Sequence, residues 1–299
     1  MKAEQPRSLG AELRRQALEY ARLMRLDRPV GIWLLLWPTL WALWLAGNGH
    51  PDPGLFIIFT VGVIVMRSAG CVINDFADRD YDPAVARTRN RPLAAGTVAP
   101  AEALMLFLAL GLIAIALVLN LNTLTRWLSL GGALLTVIYP FAKRFFAAPQ
   151  LLLGAAFGWS VPMAFAAQTG EVPRLAWLLW LTVLVWAVIY DTMYAMADRE
   201  DDLRIGLRST AILFGRADVF IVSLLQLTLL VALSLVGQLA DLSAWYFAGV
   251  AASAALLLYQ RLLIRQREPA DCFRAFLNNQ WVGAAVFAGL VLHYTFTAG

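Results

Sequence analysis

Nine apolar runs of membrane-spanning length follow one another along this chain, at about residues 32–46, 55–73, 103–119, 124–139, 151–167, 175–193, 219–239, 244–263 and 281–296. Little sequence is left between them for a soluble core. Composition agrees: 60% of the residues are hydrophobic and 15% charged, with a mean hydropathy of +0.66, so much of the surface needs lipid as its solvent. Disorder, a collagen-like repeat and a disulfide scaffold are excluded together. Two cysteines, Cys71 and Cys272, imply no disulfide framework, and two histidines, His50 and His293, are too few for a haem, di-iron or histidine zinc site. The expected fold is an all-α polytopic membrane protein with nine transmembrane helices in one bundle.

The basic residues set the expected orientation. Of 24 Lys and Arg, 21 lie before the first run or in the loops after the even-numbered runs. Only Arg126 and Arg174 lie on the other side, and Arg67 lies inside the second run. This asymmetry predicts a cytoplasmic N-terminus. It also explains the pI near 9.3 without a nucleic-acid partner. The charged first 28 residues lack the plan of a cleavable signal, and none is expected. Within them Leu9, Leu13, Ala17, Tyr20 and Met24 recur at helical spacing with arginines between. Residues 1–28 are therefore expected to form an amphipathic segment on the lipid surface, and residues 29–299 a single transmembrane domain.

The same side also gathers acid. Residues 74–85 hold four Asp, and residues 191–202 hold five Asp and Glu. Asp75, Asp78 and Asp82 fall at i, i+3 and i+7, and Asp191, Asp198 and Asp202 at i, i+7 and i+11, each set sharing a helix face. Like charges on one face repel unless a cation sits among them. Oxygen-only donors select a hard cation, and Mg²⁺ takes one or two carboxylates while leaving positions for phosphate oxygens. Two such clusters facing each other could hold two Mg²⁺ and a diphosphate; two solvated loop ends are the plainer alternative.

Basic residues nearby suit a phosphate. Tyr139-Pro140-Phe141-Ala142-Lys143-Arg144 follows the fourth run, Arg87, Arg89 and Arg91 follow the first cluster, and Arg204 and Arg208 follow the second. Each also serves as a topology signal. Arg67 lies two turns before Asp75 inside an apolar run, where a charge needs a partner; Arg28 precedes Pro29 at the start of the first run. Gly154 and Gly158 form a small-xxx-small pair, read as close helix packing. A diphosphate site opening into a lipid-embedded bundle suits an isoprenyl diphosphate, whose head meets the metals while its tail lies among the helices.

Asn74-Asp75-x-x-Asp78-x-x-x-Asp82 resembles the first signature of the intramembrane aromatic prenyltransferases, and Asp198-x-x-x-Asp202 resembles their second aspartate motif. Arg25-Leu26-Asp27-Arg28-Pro29, Arg89-Asn90-Arg91-Pro92-Leu93, Tyr139 to Arg144 and Asp201 to Ala211 are similar to the bacterial 4-hydroxybenzoate polyprenyltransferase branch of ubiquinone biosynthesis. The resemblance spans nearly the whole chain. It implies Mg²⁺-dependent transfer of a polyprenyl group from polyprenyl diphosphate to the carbon ortho to the hydroxyl of 4-hydroxybenzoate. It also implies a multi-pass protein of the bacterial inner membrane with its site facing the cytoplasm. By the same resemblance Asp75, Asp78, Asp198 and Asp202 would bind Mg²⁺, with Asn74 and Asp82 supporting. Lys143 and Arg144 would hold diphosphate, Arg28 or Arg67 would pair with the benzoate carboxylate, and Asp191 would orient or deprotonate the phenol. Other acceptors stay open within the family: a naphthoate, homogentisate, haem or a glycerol phosphate. From another class, a cation-coupled transporter would carry its acids at the midplane rather than at one face.

Overall fold

The computed structural model describes residues 9–84, 88–142 and 144–297, and every regular element among them is helical. In chain order these are α1 (Leu9–Leu23), α2 (Val30–Ala46), α3 (Pro53–Asp78), α4 (Pro100–Val118), α5 (Thr123–Ala142), α6 (Pro149–Gly158), α7 (Ser160–Thr169), α8 (Arg174–Ile205), α9 (Thr210–Phe214), α10 (Asp218–Leu239), α11 (Ala244–Ile264) and α12 (Pro269–Thr297). Short 3-10 turns lie at Asp82–Ala84 and Gly215–Ala217. Among the described residues, seven helical stretches are long and apolar enough to cross a membrane: α3, α4, α6 with α7, α8, α9 with α10, α11 and α12. The apolar α2 is shorter.

Each apolar run read from the sequence falls on helix, the fifth divided between α6 and α7. There the Trp159 N–H turns back onto the Ala156 carbonyl, and Pro162 has no N–H to offer the carbonyl of Gly158. Two helices outrun their apolar stretch. α3 continues to Asp78 and α8 to Ile205, so both acidic clusters begin on helical extensions. α3 stops where Tyr81 N–H bonds back to Asp78 O at 2.8 Å and Pro83 disfavours helix at Asp82. The helical spacing from Asp75 to Asp82 therefore does not persist, and Asp82 lies on a 3-10 turn instead. α8 ends on Gly206 at φ +72°, whose N–H caps Asp202 O; a side chain there would be strained.

The chain forms two compact units interleaved in sequence. The first comprises residues 1–29 and 65–114. Its core includes Leu23, Val65, Val72, Val98 and Ala103, with Tyr20 and Met24 packed against it. Gln16 Nε2 and Tyr20 OH donate to Glu102 Oε1 at 2.9 and 3.0 Å, tying α1 to α4. One part of the α1 apolar stripe thus docks on protein, while Leu13 stays 64% exposed.

The second unit comprises residues 30–64 and 115–299. Trp41 and Trp186 stack at 5.3 Å in its core. Their indole N–H groups donate to Gly283 O at 3.1 Å and Asn279 Oδ1 at 3.0 Å, which satisfies the polar edge of a buried ring. Truncating either to Ala would cost about 3–5 kcal/mol. α11 and α12 approach so closely that a Cβ on Gly249 would stand 2.5 Å from Ala285 O. Gly154 and Gly158 likewise pack α6 against Leu184 and Trp180 of α8, the close packing that their spacing predicts. Hydroxyls on these apolar helices bond back to their own backbone, as Thr182 does to Leu178 O and Ser253 to Gly249 O, so no water is required.

Candidate active site

The first cluster belongs to the first unit. Asp75 is 1% exposed and is held by two arginines. Arg25 Nη2 donates to its Oδ1 and Oδ2 at 2.9 and 2.8 Å, and Arg91 Nη1 donates to Oδ1 at 3.0 Å. The same Arg91 nitrogen reaches Asp82 Oδ1 and Oδ2 at 3.2 and 3.0 Å, bridging the helix end and the turn. Asn74 Nδ2 donates to Asp78 Oδ2 at 3.3 Å, and Thr88 Oγ1 to Asp82 O at 2.9 Å. Asp78 and Asp82 are buried as well. Burial raises the Asp82 carboxyl above the ordinary carboxylate range; Arg91 opposes this, while the charges of Asp75 and Asp78 add to it. Arg25 reaches Asp75 from a left-handed backbone, φ +58°.

The second cluster belongs to the second unit. Asp191, Asp198 and Asp202 are half-buried along α8. Between them the Tyr194 ring packs on Phe276 at 4.8 Å and on Phe273 at 6.1 Å. Beside Asp191, Thr192 Oγ1 and Thr210 Oγ1 share a hydrogen bond of 2.6 Å, and Thr210 N–H donates to Gln150 Oε1 at 3.0 Å. Ser209 caps α9 by accepting from Ile212 N–H. Arg208 Nη1 donates to Phe145 O at 2.7 Å, joining the segment after α8 to the turn that carries Arg144. The guanidinium of Arg144 lies over the Phe141 ring at 5.6 Å. Arg204 makes exposed pairs with Asp201 at 3.4 Å and Glu200 at 3.7 Å.

The expected site residues are thus placed unevenly. Asn74, Asp75, Asp78 and Asp82 come together in one knot, and Asp191, Asp198 and Asp202 share one helix. Arg67 is half-buried on α3. Arg28 is exposed, 3.7 Å from Asp27. Lys143 and Arg87 lie outside the described residues. The arginines that reach Asp75 are Arg25 and Arg91, neither of which sequence reasoning singled out from its neighbours; both stand inside quoted motif segments, which was the available signal. Among the described residues, no three acidic, histidine or cysteine side chains form a ready metal cage. The all-oxygen donor set still fits Mg²⁺, which needs only one or two carboxylates and completes its shell with water or phosphate.

An all-helical, membrane-spanning chain with two aspartate segments and arginines near each defines a class, and sequence similarity makes it specific. Residues 35–283 match the model of the UbiA prenyltransferase family. The chain is 58% identical over 282 residues to a 4-hydroxybenzoate octaprenyltransferase from Nitrosococcus oceani, covering 94% of this chain and 99% of that one. Its fold superposes on the apo structure of a UbiA homologue from Aeropyrum pernix with a TM-score of 0.78 and 25% identity, over 87% of this chain and 97% of that one. A UbiA homologue from Archaeoglobus fulgidus bound to GPP and Mg²⁺ shares the fold at TM-score 0.70, with 19% identity over 92% of this chain and 99% of that one. The chain belongs to the UbiA prenyltransferase family and is a multi-pass membrane protein.

Proposed function

We propose that this chain transfers a polyprenyl group from polyprenyl diphosphate to the ring carbon ortho to the hydroxyl of 4-hydroxybenzoate, a step of ubiquinone biosynthesis. The observation that carries the reading is the 58% identity to a 4-hydroxybenzoate octaprenyltransferase across 94% of the chain and 99% of that relative. In the reaction the allylic C–O bond breaks, diphosphate leaves with the electron pair, a C–C bond forms, and the ring gives up a proton.

Asp75, Asp78, Asp198 and Asp202, supported by Asp82, would hold Mg²⁺, and Asn74, Lys143 and Arg144 would hold the diphosphate. Bound Mg²⁺ would offset charge growing on the departing diphosphate. Asp191 would orient or deprotonate the phenol, raising electron density at the ortho carbon. Arg28 or Arg67 would pair with the benzoate carboxylate. The apolar walls of the helices would take the prenyl tail and keep water from the reacting carbon. Nine spans with a cytoplasmic N-terminus would face the site to the cytoplasm of a bacterial inner membrane. Residues 29–299 would then act as one domain, with residues 1–28 at the lipid surface.

The test is a product assay. Membranes bearing the chain receive 4-hydroxybenzoate, dihydroxynaphthoate and homogentisate with several prenyl diphosphates, and products are read by mass spectrometry. Prenylated 4-hydroxybenzoate that forms with Mg²⁺ and vanishes in EDTA is expected. Prenylation of either other acceptor alone would overturn the assignment.

A further inference from the structure

Asp218 opens α10 and is fully buried, 0% exposed. A buried carboxylate is costly unless its oxygens are engaged, and those of Asp218 are engaged from three directions. Arg199 of α8 pairs with it through Nη2. Arg267, between α11 and α12, donates Nε at 2.9 and 3.1 Å and pairs through Nη2 at 2.7 Å. The Val219 N–H adds a contact of 2.6 Å, and the N-terminal end of α10 favours the negative charge.

The two arginines differ in what else they do. Arg267 also donates to Arg216 O at 2.9 Å, so it ties its own turn to the 3-10 turn before α10. Arg199 follows Asp198 directly and precedes Asp202 by three residues. Arginine and aspartate at that spacing pair readily on a helix surface. A guanidinium seated on a carboxylate fills the lone pairs that a hard cation needs. The ion pair of Arg199, however, is with Asp218 on another helix.

We propose that Asp218 is a positioning residue: by engaging Arg199 it keeps that guanidinium from competing with Mg²⁺ for Asp202. The inference rests on the reading that Asp198 and Asp202 ligate Mg²⁺.

The test uses the full chain in lipid nanodiscs, with Mn²⁺ as the probe, titrated by electron paramagnetic resonance in the presence of inorganic diphosphate. Folding is followed by thermal unfolding. Asp218→Asn weakens Mn²⁺ binding about tenfold, at the low end of what partners outside the ligand shell contribute. Asp218→Asn combined with Arg199→Gln returns to within about twofold of the parent, because the competing cation is gone. Arg267→Gln lowers thermal stability and keeps Mn²⁺ affinity within about twofold. Unchanged affinity in folded Asp218→Asn, a double variant as weak as the single, or a tenfold loss in Arg267→Gln would each overturn the proposal. Should Asp218→Asn not fold, Asp218→Glu keeps the charge on a longer arm and is expected to weaken binding about threefold; unchanged affinity there overturns the proposal equally. Asp198→Asn separates the two levels. If it leaves Mn²⁺ affinity unaltered, the metal assignment itself falls. If it weakens binding while Asp218→Asn does not, only the role of Asp218 falls.

Discussion

At the end of α3 the acids are enclosed together with their own cations, Asp75 between Arg25 and Arg91 and Asp82 on the same Arg91 nitrogen that reaches Asp75. Along α8 the acids are half-buried on one continuous helix, and the nearby anchors work on its flanks, through Thr192, Arg208 and Arg199. The same residue type is therefore held in two different ways. In the first region geometry depends on charge balance, so whatever cation enters must displace or share an arginine. In the second, the carboxylates ride on one continuous helix that hydrogen bonds and an ion pair brace from its flanks.

Substitutions can break or sharpen this contrast. The largest effect is expected at the acids themselves. Asp75→Asn and Asp198→Asn should each lower prenyl transfer about 10²–10³-fold, or about 3–4 kcal/mol, comparable to the loss of an oxyanion donor. If both clusters serve one diphosphate, the double variant is little worse than the poorer single; fully additive losses, measured by product formation, would show two independent roles.

Next in size is Arg91→Ala, which strips a partner from two buried carboxylates at once. It should cost about 3 kcal/mol of stability, read as a lowered thermal midpoint in detergent. Arg91→Lys should recover only part: the ammonium keeps the charge that Nη1 brings to both acids, but it is more strongly hydrated and so costs more to bury. A thermal midpoint unchanged in Arg91→Ala would remove the distinction drawn for the first region.

Arg208→Ala acts on the second region through its link to Phe145 O. The expected loss is about 1–1.5 kcal/mol, the worth of one hydrogen bond. It should show as a KM for polyprenyl diphosphate raised about tenfold with kcat little changed. The smallest effect belongs to Arg204→Ala: its exposed pairs with Glu200 and Asp201 are worth about 0–1 kcal/mol, so both thermal midpoint and turnover should stay near the parent.

Much of this was legible in the sequence because it is periodic or local. The apolar runs marked where helices form, and the acids after two of them marked helical extensions of α3 and α8. The break at Trp159 had a visible cause in Pro162, yet one apolar run hides it, since hydropathy is blind to a missing N–H. Asp82 left the helix face for a similar reason, Pro83. The candidate site was readable as residue types but not as pairings. Nothing local tells that Arg25 rather than Arg28 reaches Asp75 across fifty residues, or that Arg91 rather than Arg89 bridges two acids. Asp218 left no motif at all, because its two arginines come from α8 and from the turn between α11 and α12, far from it in sequence.

α8 holds 32 residues, which at helical rise is a rod of about 48 Å, whereas the hydrocarbon layer is about 30 Å thick. Asp191 falls about 26 Å along that rod, and Asp198 and Asp202 about 36 and 42 Å. About 18 Å of the rod is thus left over after a crossing, and Asp198 and Asp202 lie in about its last 12 Å. A molecule that is greasy at one end and ionic at the other can be gripped along its length without leaving either phase. Its uptake and release would then be sideways glides along the interface, with no long hydrocarbon carried through water.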